Sequence, residues 1–529
     1  MTQIRLENIA FGYAETLFEG LTLTIADNDR IGIVGNNGSG KSTLLKCISG
    51  EIEPAKGRII RSKGLKFGFM EQDIPEALKN RNLYDVISTS IPEDERDFNA
   101  YKVHTALDTF KAPADIRTEP INRLSGGWQR LALVARLALS EPDVILLDEP
   151  TNHLDVAKIM VLEQWLNEQV YNVPLIAISH DRSFLANCTN KTVVIRGGQA
   201  HVFDHPYEAA KDLLSEKDKA SVAQRSKELR EMGRLARSAH ELRQIGVNKR
   251  SDNALRKSVQ ITKRVESIGA DLTEVHTEAK RDIKLGNSGT QAKRLIGIEN
   301  VTITAPGGKI LFRIDKLDIS PGERLVIMGS NGSGKTQFLN RLHRAFDDLD
   351  ESRKEGIAIT PSAKLGYLDQ HLSHLPLDKS LKDYFSWGFG LDDQKTTGVL
   401  VGAGFPVRVQ SMKLGKLSHG QRARVALLGL QLSNPNFYIL DEPTNHLDIV
   451  GQEQLESEII SNEAACVLVS HDRKFAQNIG TTFYTIKNKR LVQIASPDTF
   501  YASILETPDA TAVRSEMDSS KKPKAPRPS

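Results

Sequence analysis

The chain carries one set of short motifs twice, and this long internal repeat constrains its fold more than any other feature. The repeated motifs are GNNGSGKS (35–42) and GSNGSGKT (329–336), LSGGW (124–128) and LSHGQ (417–421), and LDEPTNHLD (147–155 and 440–448). The lysine of the first motif precedes the serine of the second by 84 residues in one copy and by 83 in the other. Preserved order and spacing predict two copies of one large domain.

Length and composition agree with two such domains. The chain has 529 residues, of which 39% are hydrophobic and 26% are charged, as in ordinary globular proteins. It has no run of 18 apolar residues and no signal-peptide pattern, so we expect a cytoplasmic protein. Its three cysteines, Cys47, Cys188 and Cys466, are far apart and form no CxxC pair, which disfavours a disulfide framework or a zinc site.

Each copy alternates β-branched apolar runs with longer segments of helical period. This pattern predicts an α/β domain whose parallel core strands carry the chemistry on loops at their carboxyl ends. We expect the first domain to span residues 1–210 and the second 294–505. Residues 211–293 differ in character and form a linker, and the basic, proline-rich tail (506–529) is expected to be disordered.

GxxxxGK[ST] in each copy is the P-loop pattern, which binds nucleotide phosphates. Its glycines let backbone N–H groups surround the phosphates, and Lys41 and Lys335 add positive charge. The hydroxyls of Ser42 and Thr336 are expected to bind Mg²⁺. The predicted ATP-binding residues of the two loops are Gly35, Asn36, Asn37, Gly38, Ser39, Gly40, Lys41, Ser42 and Thr43, and Gly329, Ser330, Asn331, Gly332, Ser333, Gly334, Lys335, Thr336 and Gln337. Thr43 and Gln337 occupy the third glycine position of GxGxxG, which excludes the dinucleotide fingerprint.

A pair of adjacent carboxylates follows an apolar strand in each copy, in VILLDEP and FYILDEP. We expect Asp148 and Asp441 to bind Mg²⁺, and Glu149 and Glu442 to orient or deprotonate the attacking water. The alternative for an isolated pair is a solvated turn, which the preceding strand and the P-loop disfavour.

The P-loop, the LSGGQ-like signature, the carboxylate pair and a later SHD together resemble the ATP-binding cassette (ABC) proteins. DEPTNHLD in both copies is similar to the ABC-F subfamily. The resemblance implies two P-loop ABC ATPase cassettes joined by an α-helical hairpin linker, with ATP and Mg²⁺ as cofactors. It also implies that the two cassettes of one monomer close head to tail, with each ATP between one P-loop and the signature motif of the other cassette.

Carried over residue by residue, the resemblance predicts two composite sites. In the first, Lys41, Ser42, Gln72, Asp148, Glu149 and His180 face Ser418, Gly420 and Gln421. In the second, Lys335, Thr336, Gln370, Asp441, Glu442 and His471 face Ser125 and Gly127. Gln72 and Gln370 would contact Mg²⁺ and the attacking water, and His180 and His471 would sense the γ-phosphate. Taken alone, each Gln would be an ordinary loop residue and each His a structural one.

The two copies differ inside their motifs. Trp128 replaces the signature Gln, and His419 replaces the first signature Gly. Tyr13 aligns with Ala305, so we predict that the first site binds adenine more firmly, through stacking on the tyrosine ring.

The linker is the most basic part of the chain. Residues 211–294 contain 20 Lys and Arg against 12 Asp and Glu, whereas the whole chain has a net charge of only +3. Apolar stripes of helical period predict two antiparallel helices that join near residues 246–253 and bury their stripes against each other. The stripes are Val222, Leu229, Met232, Ala236 and Ala239, and Leu255, Val259, Thr262, Leu272, Val275 and Ala279.

The tip of this hairpin concentrates positive charge. The predicted RNA-binding residues are Arg243, Lys249, Arg250, Arg256, Lys257, Lys263 and Arg264. The charge alone indicates a polyanion, and the alternative is a solvated coiled coil. The resemblance to ABC-F proteins adds the ribosome, through its rRNA and tRNA, as the expected partner.

The sequence therefore favours a ribosome-associated ATPase that serves in translation, ribosome protection or antibiotic resistance. The alternatives are a separate ATPase subunit that energises a membrane transporter and a DNA-associated ATPase.

Overall fold

The computed structural model describes residues 4–12, 16–71, 74–270, 272, 285–290, 292–445 and 447–505. Predictions for Tyr13, Gln72, Val275, Ala279 and the tail 506–529 lie outside these residues.

The first cassette has nine strands and six helices among its described residues. The strands are β1 (Ile4–Gly12), β2 (Thr16–Ile25), β3 (Arg30–Gly35), β4 (Lys56–Arg61), β5 (Phe67–Phe69), β6 (Val144–Asp148), β7 (Leu175–Ile178), β8 (Lys191–Arg196) and β9 (Gln199–Phe203). The helices are α1 (Lys41–Ser49), α2 (Leu83–Ser88), α3 (Ala100–Thr109), α4 (Gly126–Leu139), α5 (Val156–Glu168) and α6 (Arg182–Cys188).

Two linker helices and the second cassette follow. The linker helices are α7 (Tyr207–Asn248) and α8 (Asp252–Ala270). The strands of the second cassette are β10 (Ile296–Thr304), β11 (Ile310–Ile319), β12 (Arg324–Met328), β13 (Ile357–Ile359), β14 (Leu365–Leu368), β15 (Phe437–Asp441), β16 (Ala465–Val469), β17 (Thr482–Lys487) and β18 (Arg490–Ile494). Its helices are α9 (Lys335–Arg344), α10 (Leu349–Lys354), α11 (Leu381–Phe389), α12 (Asp393–Gly402), α13 (His419–Ser433), α14 (Ile449–Ser461), α15 (Arg473–Ile479) and α16 (Pro497–Leu505).

The two cassettes share one sheet topology, as the repeat predicts. The strand order is β4-β1-β2-β9-β8-β3-β7-β6-β5 in the first and β13-β10-β11-β18-β17-β12-β16-β15-β14 in the second. In the first cassette β8, β3, β7, β6 and β5 run parallel, while β1 pairs antiparallel with both β2 and β4. The α/β class with parallel core strands is confirmed.

Hydrophobic residues fill both faces of each sheet. All five residues of β6 and all five of β15 are buried. One core of the first cassette lies between the sheet and helices such as α4 and α5, and a second lies around α1 and β1. Strands buried on both faces read as continuous apolar runs, which is why VILLD and FYILD were recognisable in the sequence.

The linker is helical, as predicted, but its stripes pack differently from the prediction. Helix α7 has 42 residues and α8 has 19, so α7 is about 63 Å long at 1.5 Å per residue. Val222, Leu229 and Val259 remain about half exposed, so the expected burial of both stripes is wrong at these positions. Helix α8, over its described residues, is too short to cover the part of α7 that lies nearest the cassettes.

Near the tip, small residues form much of the contact between the two linker helices, together with Leu255 of the predicted stripe, whose side chain packs on Gly246. Ala239, Gly246, Ala254 and Ser258 are buried. The Ser258 hydroxyl donates a hydrogen bond to the carbonyl of Ala239 at 2.8 Å. Such side chains let the two helices approach closely near the tip.

The base of α7 contacts both cassettes. Tyr207 and Leu214 share a buried cluster with Leu185 of the first cassette and Ile449 of the second. Lys211 Nζ also lies 2.6 Å from Glu453 Oε1 of the second cassette. The linker is therefore anchored where the cassettes meet. In the part of the chain that the structure describes, no helix is long and apolar enough to cross a membrane.

Candidate nucleotide sites at the cassette interface

The first P-loop joins β3 to α1 through a turn that needs glycine. Gly40 has φ 92°, in the left-handed region. A Cβ on Gly35 would lie 2.4 Å from the carbonyl oxygen of Ile195. Lys41 Nζ donates hydrogen bonds to the carbonyls of Gly35 (2.9 Å) and Asn36 (3.1 Å), so its charge sits inside the loop.

The second P-loop repeats this geometry between β12 and α9. Gly334 has φ 105°, and Lys335 Nζ donates to the carbonyls of Gly329 (2.8 Å) and Ser330 (3.0 Å). In both loops one buried serine hydroxyl, Ser39 or Ser333, has no hydrogen-bond partner. Backbone amides and lysine at a helix N-terminus are the groups that bind phosphate, and both loops present them.

The carboxylate pair leaves the end of β6 or β15 in a strained conformation. Asp148 and Asp441 are the last residues of these strands. Glu149 has φ 48° and Glu442 has φ 51°, values that cost free energy for residues other than glycine. Arg130 of α4 donates from Nη2 to the carbonyls of Asp148 (3.0 Å) and Glu149 (2.8 Å), which helps to hold the strained turn.

A histidine follows the neighbouring strand and contacts the glutamate. The backbone N–H of His180 donates to Glu149 Oε2 at 3.3 Å. His180 Nε2 lies 3.2 Å from Glu149 Oε1 and 3.2 Å from Asn37 Oδ1 of the P-loop. A single imidazole therefore connects the phosphate loop to the carboxylate.

His471 makes the same contacts in the second cassette. Its backbone N–H donates to Glu442 Oε2 at 3.0 Å, and its Nε2 lies 3.0 Å from Asn331 Oδ1. Nε2 is 3.5 Å from Glu442 Oε1.

Burial shifts the pKa values of these groups in opposite directions. It raises the pKa of Glu149 to about 7 and also raises that of Glu442. It lowers the pKa of His180 to about 4 and that of His471 to about 3, with a further lowering from the nearby P-loop lysine. Near neutral pH both imidazoles are neutral, and Glu149 binds a proton more tightly than an ordinary carboxylate does.

The P-loop hydroxyl and the strand-end carboxylate of the second cassette are in contact. The Thr336 side chain is hydrogen-bonded to Asp441, which partly offsets the rise in the Asp441 pKa that burial causes. A hydroxyl beside a carboxylate, both oxygen donors, is a donor set that suits Mg²⁺.

Both sites open into one cavity between the cassettes, with a volume of about 1320 Å³. Each phosphate loop shares this cavity with the signature segment of the opposite cassette. From the first cassette it is lined by Asn37, Gly38, Gly40, Lys41, Ser42, Thr43, Ser125, Gly127, Asp148, Glu149 and His180. From the second it is lined by Asn331, Gly332, Gly334, Lys335, Thr336, Gln337, Gln370, Ser418, Gly420, Asp441, Glu442 and His471.

Several predicted residues do not line this cavity. Gly35, Asn36, Ser39, Gly329, Ser330 and Ser333 belong to the two phosphate loops but are not among the residues that line it. Gln421 caps its own helix: its Oε1 accepts a hydrogen bond from the backbone N–H of Ser418 at 2.9 Å. Ala305 does line the cavity, beside Pro306 and Leu311.

The two signature helices begin differently because of one substitution. At the start of α13, Ser418 Oγ accepts from the backbone N–H of Gln421, which completes a capping box. In α4, Trp128 stands in the place of that glutamine, and Ser125 makes no side-chain capping bond.

Two aspartates that were not predicted from the sequence each contact the P-loop of the opposite cassette. The backbone N–H of Asn37 donates to Asp448 Oδ2 at 3.4 Å, and that of Asn331 donates to Asp155 Oδ2 at 3.4 Å. Both aspartates are the last residue of the repeated motif LDEPTNHLD. Their occurrence at the same place in both copies was a sequence signal that could have indicated a functional role. Nothing in the sequence signalled Arg130, whose second-copy equivalent by the signature alignment is Ala423.

The seven basic residues assigned to the linker tip are all exposed. Arg264 approaches an acidic group, with Nη2 3.5 Å from Glu231 Oε1.

Comparison with known proteins identifies the family. The family model described as ABC transporter matches residues 18–152 and 312–445. The chain is 30% identical over 526 residues to the uncharacterized ABC transporter ATP-binding protein YfmR of Bacillus subtilis, covering 90% of this chain and 80% of that protein. It is 28% identical to the ribosome protection protein VmlR of Bacillus subtilis, covering 92% and 87%. It is 27% identical to ABC transporter F family member 5 of Arabidopsis thaliana, covering 99% and 80%.

Among solved structures, the chain resembles archaeal ribosome recycling factor aABCE1 in its complex with stalk protein aP1. The TM-score is 0.63 over 94% of this chain and 92% of that chain, at 17% identity, which shows a common fold. Together with the repeated cassettes, these matches show that the chain belongs to the ABC family of ATPases and, within it, to the ABC-F subfamily.

Proposed function

We propose that this ATPase acts on the ribosome, as a translation factor or as a protection factor that confers antibiotic resistance. The observation that carries the proposal is the position of the basic linker: α7 starts at a cluster shared by both cassettes and carries its exposed cations to a distant tip. The similarity to VmlR, which is named a ribosome protection protein, favours a ribosomal partner over a membrane transporter. Such a role would place the protein in the cytoplasm.

In this proposal ATP closes the two cassettes of one monomer. Each triphosphate would bind one P-loop and the signature helix of the other cassette. The two nucleotides would therefore hold the two cassettes together at both P-loops and both signature helices. The aspartates that already reach the opposite P-loops support this arrangement. Because Lys211 and Glu453 link α7 to the second cassette, closure would also set the direction of the linker.

Hydrolysis would use the glutamates as bases. A carboxylate with a raised pKa accepts a proton from water more readily than an ordinary one. Glu149 and Glu442 are held beside His180 and His471, which lie between the carboxylate and the P-loop asparagine. Each neutral imidazole could therefore orient the water and contact the γ-phosphate.

Mg²⁺ fits the donor groups present. At the first site Ser42 and Asp148 would hold the ion, together with Gln72, which lies outside the described residues. At the second site Thr336, Asp441 and Gln370 would hold it. When bound, Mg²⁺ neutralises charge on the β- and γ-phosphates.

The linker tip would bind the phosphate backbone of rRNA or tRNA. Exposed lysine and arginine side chains release counterions when they meet nucleic acid, which gives affinity without sequence readout. The weak pairing of Arg264 leaves it available for such contacts.

The test is a variant that binds ATP without hydrolysing it. Glu149→Gln with Glu442→Gln should keep nucleotide affinity, lose hydrolysis and co-sediment with ribosomes when ATP is present. The control is the same variant without ATP, which should remain in the supernatant. Failure to co-sediment despite measured ATP binding would contradict the ribosomal role and favour a transporter or DNA-associated ATPase.

A second experiment tests the linker. Lys249→Glu with Arg250→Glu should weaken ribosome binding and leave ATP affinity unchanged, and adding Arg256→Glu and Lys257→Glu should weaken it further. The matched control reverses two exposed lysines of the second cassette, Lys487 and Lys489. Equal ribosome binding by the tip variant and the control would show that the tip is not the contact.

A further inference from the structure

Lys158, near the start of α5, forms an ion pair with an aspartate that contacts the opposite cassette. Its Nζ lies 2.7 Å from Asp155 Oδ2, and its backbone N–H donates to Asp155 Oδ1 at 3.0 Å. The same Oδ2 atom accepts the 3.4 Å hydrogen bond from the backbone N–H of Asn331 in the second P-loop. One lysine therefore fixes the carboxylate that meets the second phosphate loop.

The signature segment of the first cassette fixes the lysine in turn. A Cβ added to Gly127 would lie 3.0 Å from Lys158 Cδ, so the aliphatic part of the side chain crosses this glycine. Nζ lies 5.0 Å from the ring centre of Trp128, within the range of a cation–π contact. The Lys158 side chain is only 13% exposed. Its position is set from both sides, unlike that of a solvated surface lysine.

The repeat supplies an internal comparison, because the second cassette lacks these two residues. By the alignment of the shared motifs, Gly451 stands where Lys158 does, and Gln421 stands where Trp128 does. Asp448 still reaches the backbone N–H of Asn37 at 3.4 Å, and its Oδ1 accepts from the backbone N–H of Gly451 at 3.0 Å. The aspartate geometry is thus kept in both sites, whereas the lysine occurs at one.

This difference changes the charge that a nucleotide meets. A phosphate bound to the second P-loop faces a carboxylate that is neutralised by the adjacent ammonium group of Lys158, whereas at the first P-loop the position equivalent to Lys158 is Gly451. Burial is the main cause of the lowered pKa of Lys335 and of His471, and the charge of Lys158 lowers both further.

We propose that Lys158 is a positioning residue that strengthens triphosphate binding at the second P-loop alone. It holds Asp155 against Asn331 and balances the charge of that carboxylate, which makes the two nucleotide sites unequal. The inference rests on the proposed nucleotide sites and adds a residue that acts on only one of them.

The experiment measures ATP affinity in the presence of Mg²⁺, by calorimetry on the full chain, with one site disabled at a time. Lys41→Ala leaves the second site, and Lys335→Ala leaves the first. Lys158→Met keeps the length and packing of the side chain and removes its charge. We expect Lys158→Met to weaken binding about fivefold in the Lys41→Ala background, equivalent to about 1 kcal/mol, and to have no effect in the Lys335→Ala background. Lys158→Arg should restore the affinity, which a merely structural defect would not allow.

Three results would overturn the proposal. Equal losses in the two backgrounds would show a general effect of Lys158 on the fold, and unchanged affinity in both would show that its charge is not used. If the double variant Lys41→Ala with Lys335→Ala still bound two nucleotides, the proposed nucleotide sites would themselves be wrong, and the role of Lys158 with them.

Discussion

Arg473 of the second cassette donates a hydrogen bond from Nη1 to Glu163 Oε2 of the first cassette at 3.0 Å. Arg182 of the first cassette donates from Nη2 to Glu456 Oε2 of the second at 2.8 Å. The repeat relates one pair to the other, so the interface is self-complementary within a single chain, as in a two-fold symmetric dimer. Both arginines directly follow the SHD motif, which places these ion pairs next to the nucleotide cavity.

Breaking one of these pairs should destabilise the protein strongly, because it leaves a buried charge without a partner. We expect Glu163→Gln to lower the free energy of unfolding by about 3–5 kcal/mol, measured by urea denaturation. Combining it with Arg473→Met should recover much of the loss. Glu141→Gln, which breaks an exposed ion pair with Lys102, serves as the control and should cost less than about 1 kcal/mol. Similar costs for both single variants would argue against a buried interface.

The two signature glycines of the first cassette should differ in their tolerance of alanine. A Cβ on Gly127 would lie 3.2 Å from the backbone oxygen of His153 and 3.0 Å from Lys158, whereas a Cβ on Gly126 would approach nothing closer than 3.7 Å. Overpacking of this kind costs about 1–3 kcal/mol. We therefore expect Gly127→Ala to lower kcat/KM for ATP about tenfold and Gly126→Ala to leave it nearly unchanged. The reverse order would contradict the packing.

Asp472 should make the stability of the protein depend on pH. Burial raises its pKa to about 6 from an ordinary value of 3.8, with a further rise from Asp181, although Arg182 opposes the shift. A carboxyl group whose pKa is higher in the folded state than in the unfolded state binds its proton more tightly when folded. Its contribution to stability is therefore lost as pH rises from about 4 to about 6, by up to about 3 kcal/mol.

Asp472→Asn tests this, because it keeps the helix-capping oxygen and removes the titration. Urea denaturation at pH 4 and pH 7.5 should show that the variant gains stability relative to the wild type as pH rises. A constant difference between Asp472→Asn and the wild type would contradict the expectation.

Stacking of adenine on Tyr13 stays a prediction, because Tyr13 lies outside the described residues. In the Lys335→Ala background, where the first site remains, Tyr13→Ala should weaken ATP binding by about 1–3 kcal/mol. In the Lys41→Ala background, Ala305→Tyr should strengthen binding at the second site, since Ala305 lines the cavity. Calorimetry measures both ATP affinities. An unchanged affinity after Tyr13→Ala would show that adenine does not stack on this tyrosine.

The local chemistry of this protein was determined by its sequence. The P-loops, the strand-end carboxylates and the signature serines could be predicted because each depends on a short run of residues with a defined spacing. The second copy repeats each pattern at nearly the same spacing, which strengthens each prediction. The helical character of the linker could be predicted for the same reason, since periodicity is a local property.

Only the tertiary structure decided which residues meet across the interface. Asp155 and Asn331 are 176 residues apart, and Glu163 and Arg473 are 310 residues apart, so no local pattern connects them. The packing of the linker was also decided at this level: small residues set the close approach of α7 and α8 near the tip, and Val222 and Val259 remain about half exposed. The inequality of the two sites arises in the same way: Lys158 is an ordinary helix residue in the sequence, and it gains a role only where folding places it between Trp128 and Asp155.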